Sequence, residues 1–478
     1  MSAPGKKIAR IAVCGGGLAA HLAIAALARQ LPRSIRLTWV KSRDARDADL
    51  FYGSLSAPTA YSFNLAAGVS EPRLILGTDT TFAWGTQFVD WGAAKRSWVQ
   101  CFHLPFPIVG GVLFHHHLLR HGIDDLESLL MPAVAARRGA FAHPIEKGSK
   151  LLSRAEYGYQ FDPYVYREPF AASAAAQGVE VIAANITDVE CRDGVIAALR
   201  LSDGQSLEAD LFVDCTGPAA TLMSALQVPH SGTRRLKALL SYRTGDKVGP
   251  PCRIVTGRDF GWQSETSLQK SLARLTVYSP ESESRAVAAH GEAPFHHGEV
   301  TLGRRERAWE GNCVALGHAA AVLEPVTHAP MLMLQREIER LLTLIPVSHD
   351  MAVERREFNR QSEADFTHAE IFNRALSDAP AQEPIPEPLA VKLTQFESRG
   401  VLVAFDLEPF NAEDWTILHY GMGRKPARYD LIADQLPAAE SRAAIETMAR
   451  DIEKLVKSMP SHHDYLANLV RYLKQKPW

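Results

Sequence analysis

The stretch from Ile8 to Val40 constrains this chain more than any other. An apolar run, Ile8 to Cys14, meets the turn Gly15-Gly16-Gly17; Leu18 to Leu31 follows with helical apolar spacing and many alanines, and Ile35 to Val40 is a second apolar run. Strand, turn, helix and strand in that order build a parallel sheet, which places the fold in the α/β class, with α+β character overall. The turn itself reads G-x-G-x-x-A from Gly15 to Ala20. Gly15 permits the tight turn and Gly17 lets the backbone approach a pyrophosphate. The first helical amides, at Leu18 and Ala19, supply donors and the positive end of the helix dipole, and Ala20 allows close packing of helix on sheet. Ordinary strand-to-helix turns are glycine-rich too, so the flanking helix and second strand carry the nucleotide reading. Dinucleotide folds usually end that second strand in an acid that accepts hydrogen bonds from the adenosine ribose. Here it ends in Lys41, followed by Ser42. Lys41 is either a solvated strand end or part of a differently posed adenosine site.

Two later segments turn the reading from NAD to FAD. Leu207 to Gly217 resembles the strand-to-glycine segment that closes the FAD fold in many flavoproteins. Gly311 to Ala320, with Leu316 and Gly317 at its turn, resembles their second strand-to-helix turn, which meets the ribityl chain. Elsewhere, residues 42–165 alternate poorly and suggest long loops and short strands over a site. Tyr164 to Ala176 reads as a helix, Gly178 to Ala183 as a strand and Ile186 to Cys215 as a meander with turns at Asp193-Gly194 and Asp203-Gly204. Residues 235–310 read as strand-rich and Pro330 to Leu344 as a helix; a Pro-rich linker (Asp378 to Pro388) precedes a helical segment from Glu413 to Lys474. The FAD body is therefore expected within 1–345 as a discontinuous unit (about 1–55, 155–220 and 310–345). Segments of about 56–154 and 221–309 would cover the substrate, and a mostly helical 346–478 would pack on the body.

A net charge of −2 over 478 residues creates no field for nucleic acid or an anionic membrane. The apolar stretches are broken too soon by charge, glycine or proline to span a bilayer, and the N-terminus lacks a secretory pattern. The six cysteines form no C-x-x-C pair, so buried reduced thiols in a cytoplasmic protein are expected, with no metal centre.

With these segments in place, the chain resembles the flavin-dependent tryptophan halogenase family from end to end. Gly53-Ser54-Leu55-Ser56-Ala57-Pro58 stands where that family has Gly-Glu-Ala-Thr-(Ile/Val)-Pro beside the flavin ring. Thr81 to Trp91 resembles its strand after the first loop, Tyr157-Gly158-Tyr159-Gln160-Phe161-Asp162 its Tyr-Ala-Tyr-His-Phe-Asp, and Met459-Pro460-Ser461-His462 its Met-Pro-(Ser/Thr)-His. The resemblance implies FAD, held by Gly15, Gly17, Leu18, Ala19, Ala20, Lys41, Ser54, Gly217, Leu316, Gly317 and Pro325. It implies a separate flavin reductase that delivers reduced FAD, and an aromatic or indole-type substrate. A homodimer is compatible with it but not dictated.

In the family, oxidised halide is handed to a lysine that acts with a glutamate on an aromatic carbon. The lysine position here is Ala83, after Phe82. The family's Leu-Glu-Pro-Leu-Glu-Ser-Thr-Gly is Leu323-Glu324-Pro325-Val326-Thr327-His328-Ala329-Pro330, so Thr327 stands for the glutamate. Pro330 removes an amide from the halide-holding turn. Of Trp-x-Trp-x-Ile-Pro only Trp262 survives. A methyl group cannot carry active halogen. The expectation is an oxygen-activating, monooxygenase-type flavoenzyme without halogenation by the family route. The alternatives are a non-catalytic relative and a halogenase with a substitute lysine.

Some groups have plainer readings. His115-His116-His117 with His121 reads as a polar loop and not a metal site. Trp84, Trp91, Trp98 and Phe102 read as packing and not a substrate wall. His318 could meet the ribityl chain or sit partly exposed on its turn. Glu324 is the family's non-catalytic glutamate, and nothing gives Lys95 the lysine's role.

Overall fold

The structure is a computed structural model and describes residues 7–42, 48–145, 149–377 and 385–475. It is a mixed α/β fold organised around two large sheets. Most of the linker Asp378 to Pro388 (residues 378–384) lies outside the described residues.

The first sheet has six strands in the order Trp309–Glu310, Cys313–Ala315, Leu211–Asp214, Arg10–Cys14, Arg36–Val40, Glu180–Ile182. All neighbours run parallel except the first pair. Cys14 lies level with Asp214, and Asp214 with Ala315, so the central strands finish in one row. Their turns therefore leave the sheet at a single edge, where ligands of open α/β sheets bind. Both faces of these strands are covered, which is why their residues read as unbroken apolar runs. The helix Leu18–Gln30 is buried through its first ten residues, against Glu168–Ala176 on one side and Ala329–Thr343 on another. Its alanines permit that close approach.

The second sheet has seven strands, in the order His296–Thr301, Arg235–Thr244, Ser271–Tyr278, Gly261–Ser267, Arg253–Arg258, Gly85–Trp91, Arg96–Cys101. Two of them fall within 42–165, read as long loops and short strands over a site, and join a large sheet. Gly85–Trp91 pairs in parallel with Arg253–Arg258, and Arg96–Cys101 extends the sheet beyond it. At Gly85 (φ +146°) a Cβ would lie 2.2 Å from the Gln100 carbonyl oxygen, so this pairing needs glycine.

Other differences have local causes. The helix expected over Tyr164 to Ala176 is two, Pro163–Tyr166 and Glu168–Ala176, divided at Arg167, which precedes Glu168-Pro169. The meander keeps Ile186–Arg192, Val195–Leu201 and Ser206–Leu207, but Leu211–Asp214 leaves it for the parallel sheet. His115, His116 and His117 lie buried on the short helix His115–Arg120 and not on a polar loop. His115 Nε2 bonds to the Gly400 carbonyl and His116 Nδ1 accepts from the Asp430 amide, so they fasten the C-terminal region. No group of three potential ligands forms a metal site among the described residues. All six cysteines are free and five are buried; Cys191 is exposed, contrary to expectation. Among the described residues no helix is long and apolar enough to cross a membrane.

The C-terminal helices Ala412–Gly421, Ala438–Ser458 and His462–Lys474 pack onto this body. His462 is a buried link. Its Nδ1 lies 2.8 Å from the Gly249 carbonyl oxygen and its Nε2 accepts from the Phe82 amide at 3.4 Å. Burial pushes this imidazole down to about 4, so it is neutral, with the proton on Nδ1.

Candidate functional site

Gly15-Gly16-Gly17, Cys215-Thr216-Gly217 and Leu316-Gly317-His318 converge at the common strand edge. Gly15 (φ +141°) passes so close to the second turn that a Cβ would stand 2.1 Å from the Cys215 carbonyl oxygen. The first and third turns also meet: a Cβ on Gly317 would lie 3.1 Å from that of Ala19. Asp214 organises the middle turn, accepting from the amides of Thr216, Leu222 and Met223 at 2.9–3.0 Å. The three turns therefore meet at one edge, with Leu18, Ala19, Ala20 and Leu316 buried around it.

Its donors are met by side chains of the chain itself. The Leu18 amide donates to both carboxylate oxygens of Asp49, each at 3.0 Å, and Arg167 Nη1 holds Asp49 Oδ2 at 2.8 Å. A carboxylate thus stands where a helix N-terminus would receive phosphate. At the third turn the His318 amide donates to Tyr52 Oη at 3.0 Å, and the Gly317 amide to Glu337 Oε2 at 2.6 Å. The Tyr52 ring lies 3.8 Å from that of His318, centroid to centroid. His318 is buried, which removes the partly exposed alternative, and burial pushes it down to about 3. Among the described residues its Nδ1 has no hydrogen-bond partner. Burial likewise raises the Glu337 carboxyl to about 8.

The remaining expected cofactor residues are spread around these turns. Lys41 follows the second strand with its amine 4.9 Å from the centre of the Trp39 ring. Ser54 Oγ shares a 2.5 Å hydrogen bond with Thr266 Oγ1, Gly217 (φ +75°) has open space at its Cβ position, and Pro325 is buried. The residue set suits a dinucleotide (amides at a helix start, a buried imidazole, small residues where backbones meet), but Asp49, Tyr52 and Glu337 engage the amides of Leu18, His318 and Gly317.

Ala83 lies on the strand Thr81–Ala83 opposite Gly158 and is fully buried with Leu55 and Phe102. Thr327 is also buried; its hydroxyl donates to Asn373 Oδ1 at 2.8 Å and accepts from the Ala329 amide at 3.3 Å. It lies just ahead of the helix Ala329–Thr343, whose N-cap is His328. Beside them is a residue that the sequence reading missed. Arg253 is 0% exposed and donates to the carbonyls of Pro325, at 2.9 Å, and Val326. Among the described residues its Nε has no hydrogen-bond partner and no carboxylate reaches it. Burial pushes the guanidinium down to about 9, so it stays charged at neutral pH. His328, next to Thr327, is pushed down to about 3 by burial and then by Arg253. Its ring touches Phe102 and Phe410.

The plainer readings are settled in turn. Trp84 is buried with Nε1 on the Ala140 carbonyl, and Trp98 stacks on Phe88. Trp262 Nε1 donates to Glu324, which also pairs with Arg234. The missed residues were Asp49, Tyr52, Arg253 and Glu337. Only Arg253 had a local signal, as a lone cation in the apolar run Pro250 to Val255.

Comparison with known proteins follows the same outline. The family described as tryptophan halogenase matches residues 10–438. The 7-chloro-L-tryptophan 6-halogenase KtzR of Kutzneria sp. (strain 744) is 23% identical, over 96% of this chain and 99% of its own. Among solved structures, BrvH, a flavin-dependent halogenase from Brevundimonas sp. BAL3, superposes with a TM-score of 0.88 at 28% identity, covering 97% of this chain and 99% of that one. Xcc4156, a flavin-dependent halogenase from Xanthomonas campestris, gives 0.89 at 26% identity, covering 97% and 98%. Fold and site define an FAD-dependent flavoenzyme. The chain belongs to the tryptophan halogenase family. These relatives are halogenases by name and lend no support to the expectation that halogenation is lost, which rests on the residues at Ala83, Thr327, the turn through Pro330 and the motif that begins at Trp262.

Proposed function

We propose that the chain is a halogenase-type oxidoreductase for an aromatic, indole-like substrate, with Arg253 as the reaction-chamber cation in place of the absent lysine. The observation that carries this reading is the guanidinium itself, buried and, among the described residues, without an acid. An unpaired buried charge costs several kcal/mol and retains a strong attraction for an anion. Halide, or the anion of an oxidised halogen, is the class it suits. Bound FAD would supply oxygen activation; Arg253 would hold the anion, and Leu55, Ala83, Phe102 and Phe410 would exclude water. FAD would lie on the turns from Gly15 to Ala20 and from Leu316 to His318. A separate reductase for the flavin, a cytoplasmic setting and a homodimer belong to the same reading; the six free thiols favour the reducing compartment.

A second reading, direct oxygenation without halide, is favoured by the burial of the Ala83 methyl and the engagement of Thr327 with Asn373. One experiment separates the two. The protein receives reduced FAD, oxygen and a panel of indoles, with and without bromide, and products are read by mass spectrometry. Brominated product above a flavin-only blank, lost in Arg253→Gln, supports the first reading. Oxygenated product independent of bromide replaces it with the second, and no product in either arm leaves a non-catalytic relative.

A further inference from the structure

We propose that Asp49 and Tyr52 form an internal stopper for the FAD cleft, so that the short turn Asp49–Tyr52 must withdraw before the cofactor can bind. The proposal rests on the flavin reading above and concerns how its site is controlled.

The two contacts are independent and fall on the two ends of the cradle. At the first turn, both oxygens of Asp49 engage the Leu18 amide at 3.0 Å. That amide opens the helix whose N-terminus would receive the pyrophosphate. A pyrophosphate there would share the donor with a carboxylate and suffer its repulsion at contact distance, so the two cannot occupy the helix start together. The packing allows no compromise: a Cβ on Gly17 would already sit 2.6 Å from Asp49 Oδ1. At the other end, Tyr52 Oη accepts from the His318 amide and would lie 2.1 Å from a Cβ on Gly317. The phenol occupies the approach to the turn that meets the ribityl chain.

The turn is buried, with Leu50, Phe51 and Tyr52 in the main core, so its withdrawal carries a cost that keeps the open state minor. Asp49, Leu50, Phe51 and Tyr52 form one turn of 3-10 helix, and Gly53 (φ +73°) follows it directly. Glycine adopts either sign of φ at little cost, so the chain can re-aim there. Withdrawal also frees a partner for the incoming ligand. Arg167, which holds Asp49 Oδ2 at 2.8 Å, would exchange a carboxylate for a phosphate. The cleft thus passes between two states of equal charge logic, one closed by Asp49 and one closed by cofactor.

The test uses the full-length protein and oxidised FAD. Equilibrium affinity and stopped-flow association are read by flavin fluorescence. In wild type the observed association rate should level off as FAD is raised, because opening of the turn becomes limiting. Asp49→Ala and Tyr52→Val should each tighten FAD about tenfold or more, since apparent affinity scales with the open fraction, and should restore a linear dependence. If Asp49→Ala does not fold, Asp49→Asn removes the charge with its shape retained, and tightening is still expected. Wild-type association that is linear in FAD and unchanged by the variants overturns the stopper while leaving the flavin reading intact. Absence of FAD binding in wild type and every variant overturns both.

Discussion

The guanidinium of Arg253 donates to the carbonyl oxygen of Pro325 at 2.9 Å, which fastens a buried cation two residues ahead of Thr327. Its removal should therefore be felt in turnover more than in folding. Arg253→Gln is expected to lower formation of any halide-dependent product about 100-fold, the scale for loss of one preorganised charge-stabilising donor. Thermal melts should show a small change, because replacing a buried unpaired charge offsets the lost carbonyl contacts. A variant with wild-type product yield would remove Arg253 from the chemistry.

Restoring the family pair should not be simple. Ala83→Lys inserts a long side chain into a fully buried contact with Leu55 and Phe102, and Thr327→Glu gives up the bond to Asn373 and the bond from the Ala329 amide. Overpacking alone costs about 1–3 kcal/mol. The double variant should melt several degrees below wild type, and neither single change should raise bromination, because paired catalytic groups act non-additively. A double variant with native stability and strong bromination would show that the pocket already has room for the pair.

Gly17→Asp should abolish tight FAD binding. The new side chain would start 2.6 Å from Asp49 Oδ1 and add a second carboxylate at the helix start that should receive phosphate. Titration of FAD by fluorescence measures this directly, and unchanged affinity would put the pyrophosphate elsewhere.

Glu337 provides a pH signature. Burial raises its carboxyl from 4.5 to about 8, so the folded state prefers the protonated form. Its contribution to stability is complete below pH 4.5, declines as pH rises towards 8 and is flat above that. Glu337→Gln removes this slope while an amide oxygen can still accept from Gly317. The melting temperature of the variant minus that of wild type should increase from pH 5 to pH 8 and then stay constant. A difference independent of pH would mean that the carboxyl ionises normally.

A fragment of residues 1–220 should not fold into an FAD-binding unit. It lacks Cys313–Ala315, which pairs with Leu211–Asp214, and with it the Gly317 turn. Soluble expression of that fragment with bound flavin would contradict a body built from separated stretches.

Much of the cradle was legible without coordinates. The run from Ile8 to Val40 encodes its strand, glycine turn and helix through local periodicity, and Leu207 to Gly217 and Gly311 to Ala320 bear the imprint of tight strand-to-helix turns. The expectation that Ala83 and Thr327 stand at the family's lysine and glutamate positions likewise comes from motif resemblance alone, with no geometry behind it. What the sequence determined was thus the parallel sheet and the edge at which its glycine turns leave it. Tertiary structure alone decided what stands in that space. Asp49 meets the Leu18 amide across 31 residues, Arg253 meets Pro325 across 72, and Gly85–Trp91 finds its partner strand at Arg253–Arg258. Periodicity states which face of an element is buried, but it carries no address for the partner. A carboxylate on a helix start or a cation beside a carbonyl turn is specified only when the packed core brings distant segments within hydrogen-bonding range.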